Sequence, residues 1–169
     1  GISLHNAVNG ELVAISDTQG INFEEALHYG RTVGYKNLSS MTFYDRGEML
    51  KKVALYLLER KKKYYDLSYK TGATHADSWV DIEGGFGTFF TYSGLAKRML
   101  PNTPFWVDGD TQKISANGTF LGTHILTPSE GVSVQINAYN FPVWGMMEKL
   151  STSLLAGVPS IVKPSPFGS

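Results

Sequence analysis

Residues 132–165, VSVQINAYNFPVWGMMEKLSTSLLAGVPSIVKPS, constrain the fold more than any other stretch of this chain. Val132 to Ile136 is a short apolar run with β-branched residues, the pattern of a buried strand. Asn140-Phe141-Pro142 breaks it. Pro142 suits the first turn of a helix, where a missing N–H costs nothing. Asn140 either caps that helix or sits in the turn before it. From Val143 the apolar positions Val143, Met146, Met147, Leu150, Leu154 and Leu155 recur at helical spacing, and Gly157 is placed to stop the helix. Ser160-Ile161-Val162 reads as a second strand, ended by Lys163-Pro164. Strand, helix and strand in about 30 residues make a βαβ unit, hence a parallel sheet. Ligands of open parallel sheets bind beyond the carboxyl ends of the strands. Here those ends carry Asn140 and Lys163.

Composition excludes several function classes. The net charge of zero argues against a nucleic-acid binder working by bulk charge. No apolar run approaches the ~18 residues of a membrane span. The start, Gly1-Ile2-Ser3-Leu4-His5, has no charged segment before a long apolar core, so no signal peptide is read and a cytoplasmic location is expected. Cysteine is absent, which removes disulfides, thiolate metal sites and a cysteine nucleophile from these residues. His5, His28, His75 and His124 are scattered, and Asp108 with Asp110 lacks the other ligands of a calcium loop, so no metal site is expected.

The rest of the chain reads in order. Asn9-Gly10 and the patch Leu12 to Ile15 predict a hairpin. Asn22 reads as the cap of a helix with Phe23, Ala26, Leu27, Gly30 and Val33 on its apolar face, ended by Gly34 and the cluster Asn37 to Ser40. Thr42 to Glu59 is the clearest helix, with Met49, Leu50, Val53, Ala54, Leu57 and Leu58 as its stripe and Arg46 mostly off it. The run Arg60-Lys61-Lys62-Lys63 reads as a solvated helix junction. A long helix is expected from Ala76 to about Arg98, facing inward through Trp79, Ile82, Phe86, Phe89 and Phe90. Its Gly84, Gly85 and Gly87 are read as sites of close packing rather than as a phosphate loop. Residues 101–118 read as loop. Phe120 to Leu126 reads as a strand turned back by Pro128-Ser129-Glu130-Gly131 into the Val132 strand.

Asn-Phe-Pro after a strand, a helix ending in Ala-Gly, and a strand ending in Lys-Pro-Ser resemble the NAD(P)-dependent aldehyde dehydrogenase superfamily. Several stretches are similar to one branch of it, the ring-cleavage semialdehyde dehydrogenases of phenylacetate catabolism. These are residues 136–142 (INAYNFP), Trp144-Gly145-Met146, Glu148-Lys149-Leu150, and residues 71–85 with Thr71-Gly72-Ala73-Thr74. The resemblance implies an α/β fold: N-terminal helices plus the first part of a doubly wound, Rossmann-like parallel sheet. Residues 1–169 would be the N-terminal part of the NAD(P)-binding domain, with an oligomerisation hairpin at about 119–136 and a homo-oligomeric assembly.

By the same resemblance Asn140 is the catalytic candidate, donating its side-chain N–H to the oxyanion formed from the aldehyde. Such a donor commonly lowers a barrier by ~3 kcal/mol. Lys163 would reach the adenosine ribose or its 2′-phosphate, Ser165 would add a hydrogen bond, Tyr139 would pack near the nicotinamide, and Ile136 and Asn137 would line the groove. Many NAD-preferring relatives carry a glutamate where this chain has Pro166, so NADP is expected, with NAD possible. The implied substrate is a CoA-linked semialdehyde of phenylacetate ring cleavage. The alternatives are a semialdehyde of another aromatic route, of the benzoyl-CoA type, or a non-catalytic structural module, since the family's cysteine and glutamate lie downstream of the Lys-Pro segment.

Overall fold

The computed structural model describes residues 1–168. Its elements run β1 (Ile2–His5), β2 (Leu12–Ser16), α1 (Phe23–Tyr29), α2 (Tyr35–Ser40), α3 (Phe43–Leu58), α4 (Lys61–Lys70), α5 (His75–Met99), β3 (Trp106–Lys113), β4 (Leu121–Leu126), β5 (Ser133–Ile136), α6 (Pro142–Leu155) and β6 (Ser160–Lys163). No helix among the described residues is long and apolar enough to cross a membrane.

The core lies between α3, α5 and α6. Leu50 and Ala54 of α3 meet Ile82, Phe86, Phe89 and Ala96 of α5 and Met147 and Leu155 of α6. Each large side chain so buried contributes about 1.5–3 kcal/mol. Two caps start the long helices. Thr42 accepts from the Asp45 N–H at 3.1 Å while Asp45 accepts from the Thr42 N–H at 3.0 Å, a reciprocal capping box. Thr74 accepts from the Asp77 N–H at 3.2 Å. The glycines of α5 are partly explained by packing. A Cβ on Gly85 would stand 3.1 Å from Trp144 N, and one on Gly84 3.4 Å from the Trp144 ring, so α6 approaches α5 closely there. Gly87 faces open space, and nothing in the structure accounts for it.

Several expectations are corrected. Arg46, expected mostly off the buried stripe, is fully buried. It donates to the carbonyl oxygens of Leu155 (2.8 Å) and Pro104 (3.0 Å), which is how a charge is tolerated inside. The first helix does not end at Gly34: a π-helical turn over Gly30–Gly34 carries it into α2, which ends at Ser40, within the expected Asn37 to Ser40 cluster. A Cβ on Gly30 would stand 2.7 Å from Val132, and one on Gly34 3.1 Å from Pro159. Its expected apolar face is largely open, with Phe23 62% exposed.

The hairpin expected at about 119–136 is not the pairing formed. β4 pairs antiparallel with β3, and β5 pairs instead with β6. The loop expected over 101–118 therefore contains a strand. Asp108-Gly109-Asp110 hides it, since Gly109 has φ +76° and the ladder shifts register between Asp108 and Gln112. The β1–β2 hairpin and the parallel β5–α6–β6 unit form as expected.

Candidate functional site

The carboxyl ends of β5 and β6 lie side by side because the register sets Ile136 opposite Lys163. One step on, the Asn137 N–H donates to the Lys163 carbonyl at 3.1 Å. Ile136, Asn137 and Lys163 are thus brought together at one edge. Tyr139 and Asn140 follow on the loop into α6, and Ser165 lies two residues past β6. The strand expected to be buried has one open face, with Ile136 72% exposed, whereas Gln135 and Asn137 point inward. Alternation along a strand produces this split.

Buried Asn137 accepts from Lys149 Nζ at 2.8 Å through its side-chain oxygen, and Lys149 also donates to the Ile136 carbonyl at 2.9 Å. Asn137 Nδ2 is left buried with no partner among the described residues. Lys163 is exposed and forms no salt bridge among the described residues. Ser165 is nearly buried, and its hydroxyl accepts from the Phe167 N–H at 3.3 Å. No group of three or more His, Asp or Glu among the described residues is placed to hold a metal ion.

Asn140 does not cap α6. The N-cap is Phe141, in the left-handed region at φ 52°, ψ 53°, with Pro142 opening the helix behind it. The Asn140 side chain is exposed and has no hydrogen bond among the described residues. The free N–H groups of the helix go to Asp81 of α5. Its Oδ1 accepts from the Trp144 N–H at 2.8 Å and from the Val143 N–H at 3.1 Å. Burial pushes the Asp81 carboxyl above its ordinary value, and the two N–H donors oppose that shift. Sequence reasoning missed Asp81 and Lys149 as site residues. Asp81 had a signal: with Ser78, Ile82, Gly85 and Phe89 it falls on the inward stripe of α5, where an acidic residue needs a partner.

A model of the aldehyde dehydrogenase family matches residues 3–169. The 3,4-dehydroadipyl-CoA semialdehyde dehydrogenase of Aromatoleum evansii is 34% identical over 166 residues, 98% of this chain and 32% of that protein. The chain thus spans about a third of the length of this curated relative. Among solved structures, aldehyde dehydrogenase 21 of Physcomitrella patens, in complex with the reaction product succinate, superposes with a TM-score of 0.77 at 18% identity. The match covers 99% of this chain and 34% of that one. Betaine aldehyde dehydrogenase of Staphylococcus aureus, in complex with NAD+, gives a TM-score of 0.75 at 23% identity, covering 97% of this chain and 31% of that one.

Proposed function

Because this chain belongs to the aldehyde dehydrogenase family, we propose that the full-length protein oxidises a CoA-linked semialdehyde to a carboxylate with NADP. The observation that carries the reading is the exposed Asn140 side chain on the loop just past β5, beside the paired strand ends of Ile136 and Lys163. Asn140 donates its side-chain N–H to the substrate oxygen as negative charge develops there, and such a donor is worth about 10²–10³ in rate.

The residues present suit a nicotinamide dinucleotide. The Lys163 ammonium, which forms no salt bridge among the described residues, offers a donor to ribose hydroxyls or a 2′-phosphate. Exposed Ile136 and Tyr139 offer apolar surface. Bound there, a nicotinamide dinucleotide would supply the hydride acceptor for the oxidation. Lys163 carries the preference for NADP, since Pro166 supplies no carboxylate to repel a 2′-phosphate. Ser165 adds a hydrogen bond by rotating its hydroxyl hydrogen outward while its oxygen still accepts from Phe167.

That the Aromatoleum relative is a 3,4-dehydroadipyl-CoA semialdehyde dehydrogenase supports a CoA-linked semialdehyde. The motifs at residues 71–85 and 136–150 favour the phenylacetate ring-cleavage product. A semialdehyde of the benzoyl-CoA type is the alternative that this relative supports. The reading includes a cytoplasmic location and a homo-oligomer. The oligomer is supported by the β3–β4 hairpin, whose Phe120, Leu121, Ile125 and Leu126 are all exposed. A lone two-stranded hairpin is at best marginally stable in water, and a second subunit would cover it.

The test is steady-state kinetics of the full-length protein with the two CoA-linked semialdehydes and simple aldehydes, with NADP and with NAD. Turnover that falls about 10²–10³-fold in Asn140→Ala supports the reading. So does a loss of NADP preference in Lys163→Ala. An Asn140→Ala enzyme with unchanged kcat overturns it.

A further inference from the structure

The Asn140 side chain has no hydrogen bond among the described residues. The backbone sets where that side chain starts, and it runs straight into Phe141, the one non-glycine residue with positive φ among the described residues. A left-handed residue of this kind costs about 1–2 kcal/mol, so neighbouring structure must hold it. Phe141 offers no side-chain acceptor to the first turn of α6, and Pro142 has no N–H to donate.

We propose that Asp81 is a positioning residue for Asn140: its carboxylate, reaching from α5, anchors the first turn of α6 and so fixes where the Asn140 amide is presented. This rests on the reading of Asn140 as the oxyanion donor. Three observations support it. Asp81 is 6% exposed and spends both oxygens on α6, with Oδ1 accepting from Val143 and Trp144 and Oδ2 accepting from Val143 at 3.3 Å. Its own place is rigid, since Ile82 beside it and Phe86 one turn on are core residues. Gly85, one turn along the same face, lets the backbone of Trp144 approach to 3.1 Å from where a Cβ would stand. The start of α6 is therefore held by a buried acceptor and a tight backbone contact, two and three residues beyond Phe141. Asn140 stands immediately before that anchored turn. The carboxylate comes from another helix, 62 residues away in sequence, and it ties the start of α6 to α5.

The experiment is a double-mutant cycle on the full-length enzyme, combining Asp81→Asn with Asn140→Ala and reading kcat, KM for cofactor and KM for aldehyde. Asp81→Asn keeps the side-chain shape and one oxygen acceptor, while its new N–H groups face the N–H groups of α6. The expected result is a kcat lowered about 10–100-fold, as displacements near 1 Å produce, with KM for cofactor unchanged. In the Asn140→Ala background the same substitution should lower kcat less than about twofold, because there is no amide left to misplace. Asp81→Glu, which keeps the carboxylate on a longer arm, should recover part of the rate. If Asp81→Asn lowers kcat equally in both backgrounds, Asp81 serves stability alone and the proposal fails. The proposal also fails if Asp81→Asn leaves kcat intact. Should Asp81→Asn fold poorly, Gly85→Ala, which pushes on the same turn, takes its place in the cycle with the same outcomes. An Asn140→Ala enzyme with normal kcat overturns the functional reading itself, a result distinct from additivity between the two sites.

Discussion

The Arg46 guanidinium donates to the Leu155 carbonyl oxygen at 2.8 Å, joining the start of α3 to the last turn of α6 across 109 residues of sequence. The same group donates to Pro104 O at 3.0 Å and lies 4.4 Å above the Phe43 ring. A cation at a helix C-terminus is favoured by the carbonyls exposed there. Burial lowers the guanidinium pKa, and neighbouring Asp45 opposes the shift.

Arg46→Ala should destabilise the protein by about 3 kcal/mol, because two carbonyl oxygens lose their donor and a cavity opens. Arg46→Lys should cost less but still be measurable, since one ammonium does not span both carbonyls as the planar fork does. Chemical denaturation midpoints check both. Wild-type stability in Arg46→Ala would contradict this account of how the charge is held.

Gly85 and Gly87 should respond in opposite directions to alanine. A Cβ at Gly85 would stand 3.0 Å from Val143 Cγ1 and 3.1 Å from Trp144 N. Retreat of the α6 backbone would stretch the Asp81 hydrogen bonds to Val143 and Trp144. Gly85→Ala should therefore lose about 1–3 kcal/mol, more than its helix propensity returns. Gly87 meets nothing within 4 Å. Gly87→Ala should gain about 0.5–1 kcal/mol. Thermal melts of the pair decide the matter.

Tyr65 should titrate late. Burial, and then its hydrogen bond to Glu83 at 2.8 Å, push the phenol up to about 12. A pKa raised in the folded state means stability that is complete below the unfolded value near 10 and lost as pH rises toward 12. In ultraviolet titration of the native protein, this tyrosinate should form after those of ordinary phenols. Tyr65→Phe should remove the late component and flatten the alkaline fall in stability. A titration curve identical to wild type in Tyr65→Phe would refute the assignment.

Acid should loosen the start of α3. The Thr42 hydroxyl and N–H hold the Asp45 carboxyl below the usual carboxylate range. A lowered folded value gives stability that is present above the unfolded pKa of ~4 and lost as pH falls through the folded one. Thr42→Val removes the hydroxyl half of the box. The variant should be less stable than wild type at pH 6, and the gap should narrow toward pH 2. Urea denaturation across that range measures the gap. A gap that widens on acidification would show that the box does not drive it.

The placement of the candidate residues was largely legible without coordinates, because its signals are local. A β-branched run, Pro142 at the first helical turn, apolar residues at helical spacing and Gly157 at the stop put Lys163 at the end of β6 and Asn140 on the loop that follows β5. Asn22 capping α1 reads the same way, through one side-chain amide oxygen and one N–H three residues on. The partner of β4 was not legible. Phe120 to Leu126 can turn back on either side, and both neighbours offer a turn. The choice of β3 is hidden behind an Asp-Gly-Asp that looks like loop.

Local patterning marked the long helices, the parallel βαβ unit and the residues at its open end, since period, caps and breakers act within a few residues. The tertiary structure alone decided that Arg46 goes inside, that α1 continues through a π turn, that β3 and not β5 pairs with β4, and that Asp81 holds α6. The physical reason is distance along the chain. Arg46 and Asp81 find partners 58 to 109 residues away, and buried polar groups take whatever acceptors or donors helix packing brings within reach.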